Sequence, residues 1–167
     1  LEVACAVDFL TGRLRERRLE EVVMALAAEM LLSCGRADTH QQAGALAAEA
    51  LGSGRAAATF GRMVAALGGP ADFVEKADRH LARAPVERPA PAPRGGYVRE
   101  IATRELGLAV VMLGGGRRTA GEAIDPSVGL SRLLPIGAEV AAGEALALVH
   151  ARNEDAAERA VASVEAA

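Results

Sequence analysis

Apolar residues in the first half of the chain recur at helical spacing. Leu1, Val3, Val7 and Leu10 form one stripe, which ends at Gly12. Leu19, Val22, Val23, Leu26, Met30 and Leu31 form a second, and Gly35 is placed to stop it in the left-handed conformation that follows many helices. Asp38, with Gln41 three residues later, resembles a capping box for a third helix that runs to Leu51 and stops at Gly52. Phe60, Met63, Val64 and Leu67 then follow at i, i+3, i+4 and i+7, and Gly68-Gly69-Pro70 breaks them. Asp72–Leu81 predicts one more short helix. Residues 1–82 therefore read as helical.

The pattern changes at residues 83–94, which carry Pro85, Pro89, Pro91 and Pro93. Proline fixes φ and lacks a backbone donor, so this stretch is expected to be an extended linker and a domain boundary. Beyond it the periods mix. Tyr97–Ile101 alternates like a strand, and Thr103 is placed to cap a helix over Arg104–Leu113. Gly114-Gly115-Gly116 ends that helix, Asp125-Pro126 reads as a turn, and Val128–Leu134 reads as a strand. Gly137 and Gly143 fit turns, with Val140, Leu146 and Leu148 as inward positions of short strands. Asn153 is placed to cap a last helix whose inner face is Ala156, Ala157, Ala160, Val161 and Val164, with Glu154 and Asp155 at its positive end. The C-terminal part, 95–167, is thus expected to be an α+β accessory domain.

Composition narrows what such a chain does. Half of its 167 residues are hydrophobic, but only 2% are aromatic, with no Trp. The core is therefore built from Ala, Leu, Val and Met, and aromatic platforms for base stacking are lacking. The net charge of −3 and pI near 5.7 give no long-range attraction for a polyanion. Arg13, Arg15, Arg17 and Arg18 cluster, but Glu16, Glu20 and Glu21 interleave with them and neutralise the field. Neither nucleic acid nor membrane is an expected partner. Cys5 and Cys34 have no zinc or disulfide-framework spacing, which points to a reduced, cytoplasmic setting. The chain opens at Leu1 inside an apolar pattern, which reads as a piece of a longer protein.

Two motifs invite chemistry. Gly114–Arg118, GGGRR, superficially offers a phosphate loop. Phosphate loops, however, place glycines before a helix N-terminus, and these follow a helix, at its negative end. A structural or mobile loop is the plainer reading, with Arg117 or Arg118 reaching an anion or a partner as the sharper one. The run Gly137–Leu146, GAEVAAGEAL, resembles half of a lipoyl or biotinyl carrier. Such carriers need a modifiable lysine on a hairpin, and the single lysine, Lys76, lies in the helical half. His40, His80 and His150 are isolated from one another, and Ser33, Ser53, Ser127, Ser131 and Ser163 lack a nucleophile-elbow context. No catalytic, substrate-binding or metal-ligating residue is assigned within these residues, and no organic cofactor is expected.

Five segments, taken in order, carry a resemblance. They are LEVACAVDFLTG (1–12), RLEEVVMALAAEML (18–31), FGRMVAALGGPADFVE (60–75), GYVREIATRELGLAVVMLGGGRR (96–118), and IDPSVGL with IGAEVAAGEALALVHA (124–151). Together they resemble the C-terminal part of thymidine phosphorylases, within the pyrimidine-nucleoside phosphorylase family. The resemblance implies a parent α/β enzyme, a homodimer, in which thymidine or deoxyuridine reacts with inorganic phosphate to give the base and 2-deoxyribose 1-phosphate. It also implies that residues 1–82 belong to the large α/β domain and that residues 95–167 form an α/β-hammerhead or barrel-sandwich-like domain. The family's phosphate- and base-binding residues would precede Leu1, so the chain alone is expected to be inactive. One departure concerns a family glutamate that helps bind a monovalent cation in some members. Cys5 stands in its place, a poor ligand for a hard cation, and is expected to be a buried structural thiol. The competing expectation is a non-enzymatic module that binds a protein partner.

Overall fold

The computed structural model describes residues 1–167. The chain forms two compact units, Glu2–Leu81 and Ala82–Ala167, the latter joined by Leu1.

The first unit is all helical. Helices α1 (Glu2–Thr11), α2 (Arg17–Ser33), α3 (His40–Gly52) and α4 (Arg55–Ala66) are followed by the single turn α5 (Ala77–His80). The expected stops hold: Gly12, Gly35 and Gly68 all adopt positive φ just beyond a helix. The caps differ in detail. Glu16 caps α2 by accepting the N–H groups of Arg18 and Leu19. Thr39, not Asp38, caps α3: its hydroxyl accepts the Gln42 N–H at 3.2 Å, and Gln42 Oε1 accepts the Asp38 N–H at 3.0 Å. The two bonds resemble a capping box, but Gln42 returns its bond to the residue before the cap. Two small cores result. Val7, Phe73 and Ala77 gather with Phe60, Val64 and Leu81, while Ala28, Ala37 and Ala43 gather with Leu31, Leu32 and Leu46.

The second unit is α+β. Strand β1 (Val86–Pro91) pairs antiparallel with β5 (Ala145–Ala151), and β5 pairs antiparallel with β3 (Gly129–Ser131), giving the order β1-β5-β3. A two-stranded ribbon joins β2 (Gly96–Tyr97) to β4 (Glu139–Val140). Helices α6 (Thr103–Leu113) and α7 (Glu154–Ala166) pack against each other, and α7 covers β1 and β5. Ala90, Leu106, Leu113, Ala147, Val149, Ala157 and Ala160 make the core. Alanine on both α7 and the sheet lets helix and strands approach closely.

The proline-rich stretch is extended, but it is a strand and not a linker. Val86↔Ala151 through Ala90↔Ala147 are in register, and Ala90 is fully buried. Proline is tolerated there because β1 is an edge strand, whose outer side needs no donors. Three other expectations shift. Regular pairing starts at Gly96 and covers only Tyr97 of the expected strand 97–101, and only Gly129–Ser131 of 128–134. Thr103 does not cap α6: its hydroxyl donates to the Ile101 carbonyl instead. Val140 and Leu146 are inward as expected, but on β5 it is Ala147, Val149 and Ala151 that face the helices, and Leu148 lies on the other side. The α7 cap holds, Asn153 Oδ1 accepting the Ala156 N–H at 2.9 Å.

Candidate functional site

The GGGRR segment is organised by a residue that sequence reading passed over, Glu122. Gly114 takes φ 99° at the end of α6, and the Gly114 and Gly115 N–H groups bond the Val111 and Val110 carbonyls. The Arg152 guanidinium lies against Gly114, where a Cβ would overlap it, and donates to the Leu113 carbonyl at 3.2 Å. One consequence is that a helix end with exposed carbonyls receives a cation, as its dipole favours. From there the loop folds back on Glu122. Its carboxylate accepts the Arg118 guanidinium at 2.8 Å, the Arg118 N–H at 2.8 Å and the Thr119 N–H at 3.4 Å. Arg117 Nε donates to the Glu122 carbonyl at 2.9 Å. Those Arg118 bonds hold the Glu122 pKa down to about 2. Downstream, the Asp125 N–H bonds the Gly114 carbonyl, and the Asp125 carboxylate takes the Ser127 hydroxyl at 2.6 Å. Arg118 is therefore paired with Glu122, in an exposed i,i+4 ion pair. The spacing Arg118–Glu122 was the available signal.

A second feature of this unit is a cleft of about 300 Å³. Arg94, Tyr97, Arg99, Ile101, Leu106 and Val140 line it, together with Glu100 and Glu165. Both signs of charge are present, so the cleft has no bias toward a phosphate.

The histidines have partners that spacing could not show. His40 bonds Glu29 at 2.8 Å on the surface of the helical unit. His80 meets Asp72 at 2.9 Å and stacks on Phe73, while Lys76, the single lysine, bonds the other Asp72 oxygen at 2.8 Å. Asp72 is lowered in pKa by Lys76 first and by His80. His150 is buried on β5, its Nε2 2.7 Å from Ser131 Oγ and its Nδ1 3.4 Å from Glu87 Oε1. Burial lowers its pKa, against the pull of Glu87. No three His, Cys, Asp or Glu side chains converge as a metal site needs. No helix is long and apolar enough to cross a membrane. Cys5 is exposed, contrary to the buried thiol expected. It lies two residues from the buried Val7, which is about 200° around a helix.

The family described as the pyrimidine nucleoside phosphorylase C-terminal domain matches residues 97–167. Those residues resemble a pyrimidine nucleoside phosphorylase C-terminal domain. They hold the ribbon β2–β4, the helix pair α6–α7, strands β3 and β5, and the Glu122-centred loop. Similarity to curated proteins extends through the helical unit as well. The chain is 62% identical over 167 residues to a thymidine phosphorylase of Mesorhizobium japonicum, covering all of this chain and 38% of that protein. It is 56% identical over 164 residues to one from Burkholderia cenocepacia, covering 98% of this chain and 37% of that protein. It is 48% identical over 165 residues to one from Agrobacterium fabrum, covering 99% and 38%. The chain thus matches the C-terminal portion of thymidine phosphorylases and spans less than two fifths of the length of these relatives.

Proposed function

We infer that this chain serves as the C-terminal part of a pyrimidine-nucleoside phosphorylase. The whole enzyme takes thymidine or deoxyuridine and inorganic phosphate to the free base and 2-deoxyribose 1-phosphate. The observation that carries this reading is the identity of 62% along the full 167 residues to a thymidine phosphorylase. The chemistry asks the protein to position phosphate against the sugar and to stabilise charge as the glycosidic bond breaks. Residues 1–167 do not perform that step alone. Arg118, the cation nearest in sequence to a phosphate motif, is held by Glu122, and the polyanion-poor charge balance supports the same view.

The helical unit supports a role within a larger assembly. On α2, Val22, Leu26 and Met30 are 51%, 61% and 72% exposed, an apolar stripe more open than a finished surface usually keeps. In this reading the stripe packs on the sheet of the large α/β domain, residues 95–167 with strand β1 form the barrel-sandwich-like domain, and the enzyme is a cytoplasmic homodimer needing no organic cofactor. A stand-alone interaction module is not favoured, since similarity to enzymes runs the length of the chain. The test is product identity. The longer polypeptide containing these residues is supplied with thymidine and phosphate, and the sugar product is identified by NMR. The expected product is 2-deoxyribose 1-phosphate; free deoxyribose, or no reaction, overturns the assignment.

A further inference from the structure

Three neighbouring strands bring Glu87, His150 and Ser131 onto one face of the sheet. His150 on the central strand β5 lies opposite Glu87 on β1 and opposite Gly129 on β3. Side chains alternate along a strand, so this face is the one away from Ala147, Val149 and Ala151, which pack toward the helices. His150 and Ser131, two residues on from Gly129, share this face, and the imidazole reaches the hydroxyl at 2.7 Å. Glu87 can only accept, so it holds the ring proton on Nδ1, and the Ser131 hydroxyl then donates to Nε2.

The order Ser–His–Glu is that of a nucleophile, a base and an orienting carboxylate. Its setting is not that of a catalytic site. His150 is only 7% exposed, and neither it nor Ser131 lines the cleft of this unit. What the chain of bonds does is hold β3. That strand is three residues long, and Arg132, at φ 52°, turns the backbone out of the sheet directly after it. Few ladder bonds secure it, so a side-chain bond from Ser131 to β5 is a large share of what does. β3 also closes the far end of the segment that carries Arg117, Arg118 and Glu122.

We propose that Ser131, His150 and Glu87 form a proton-sensitive latch that fastens β3 to β5 and releases it on acidification. Protonating Nε2 reverses the Ser131 bond, the hydroxyl then accepting, and places a cation in a buried position; that buried charge is what loosens β3. The charged groups that face the ring are Glu87 on β1, Arg132 beyond β3 and the Leu1 ammonium. Both cations oppose protonation and Glu87 favours it. Burial dominates, so the folded ring prefers to be neutral. The sign follows. A histidine whose folded pKa lies below its ordinary 6.5 contributes stability that is complete above that value. That contribution is lost as pH falls through 6.5 toward the folded pKa, and the loss stops once the folded ring is itself protonated.

The test is amide hydrogen exchange of Gly129–Ser131 in the 167-residue chain, followed by NMR from about pH 7.5 to about pH 5.5, a window that spans the ordinary histidine value. Protection, corrected for intrinsic exchange, is expected to fall by up to about tenfold per pH unit. In His150→Gln, which keeps polar atoms but does not titrate, the fall is absent. An unchanged protection in the parent chain, or the same fall in His150→Gln, overturns the latch. Should His150→Gln fail to fold, Glu87→Gln decides. Loss of the carboxylate that favours protonation is expected to lower the His150 titration midpoint and move the fall in protection to lower pH, and an unmoved midpoint overturns the proposal.

Discussion

Gly114 shows how much one position carries. It sits at φ 99°, closes α6, and leaves the space that the Arg152 guanidinium fills. An alanine there meets two penalties, the left-handed backbone and the displaced arginine. The first alone costs about 1–2 kcal/mol. Gly114→Ala is therefore expected to lower the urea unfolding free energy by at least about 1 kcal/mol, whereas a change below a few tenths would contradict the cost of the left-handed backbone. The glycine's structural role was legible, because a triplet after an apolar helical run signals its end. Its neighbours were less so. Glu122 is four residues from Arg118, yet nothing in the sequence says that a surface glutamate will also collect two backbone N–H groups. Cys5 was misread because its family position suggested burial while its helical phase relative to Val7 puts it outside.

At the scale of elements, helices were legible and strands only partly. The helical stripes, the stops at Gly12, Gly35 and Gly68 and the Asn153 cap all follow from local chemistry, and local chemistry is in the sequence. Strand β1 does not. Its prolines read as a linker, and only pairing with β5, more than fifty residues away in sequence, makes it a core strand. Leu148 was misplaced for a related reason. Two faces of a short strand differ by what packs on them, and α7 chose the alanine face because Ala157 and Ala160 allow close approach. That account makes Ala157 intolerant of size. Ala157→Leu is expected to destabilise the second unit by about 1–3 kcal/mol through overpacking, read from thermal unfolding; an unchanged midpoint would mean the helix–sheet contact is loose. The α2 stripe makes the contrast. Leu26→Asp is expected to change the stability of the 167-residue chain by no more than about 0.5 kcal/mol, because the side chain is 61% exposed. In the longer polypeptide the same change is expected to lower soluble yield, since a charge would then be placed in a packed face.

At the scale of the whole molecule, the similarity to thymidine phosphorylases was legible through ordered motifs and not through any site. The GGGRR loop and the carrier-like run looked chemical, but the first is internally paired through Glu122 and the second lies far in sequence from Lys76, which bonds Asp72. What the ordered motifs identify is a position within an enzyme, and what the fold provides is a rigid α+β unit with a proton-sensitive edge strand and a helical unit with an open apolar face. The most direct measurement of that account is thymine release from thymidine, made in parallel on the longer polypeptide and on residues 1–167. The account predicts phosphate-dependent release by the longer polypeptide and none by the 167-residue chain. Thymine release by the 167-residue chain, or release by the longer polypeptide that does not depend on phosphate, would contradict it.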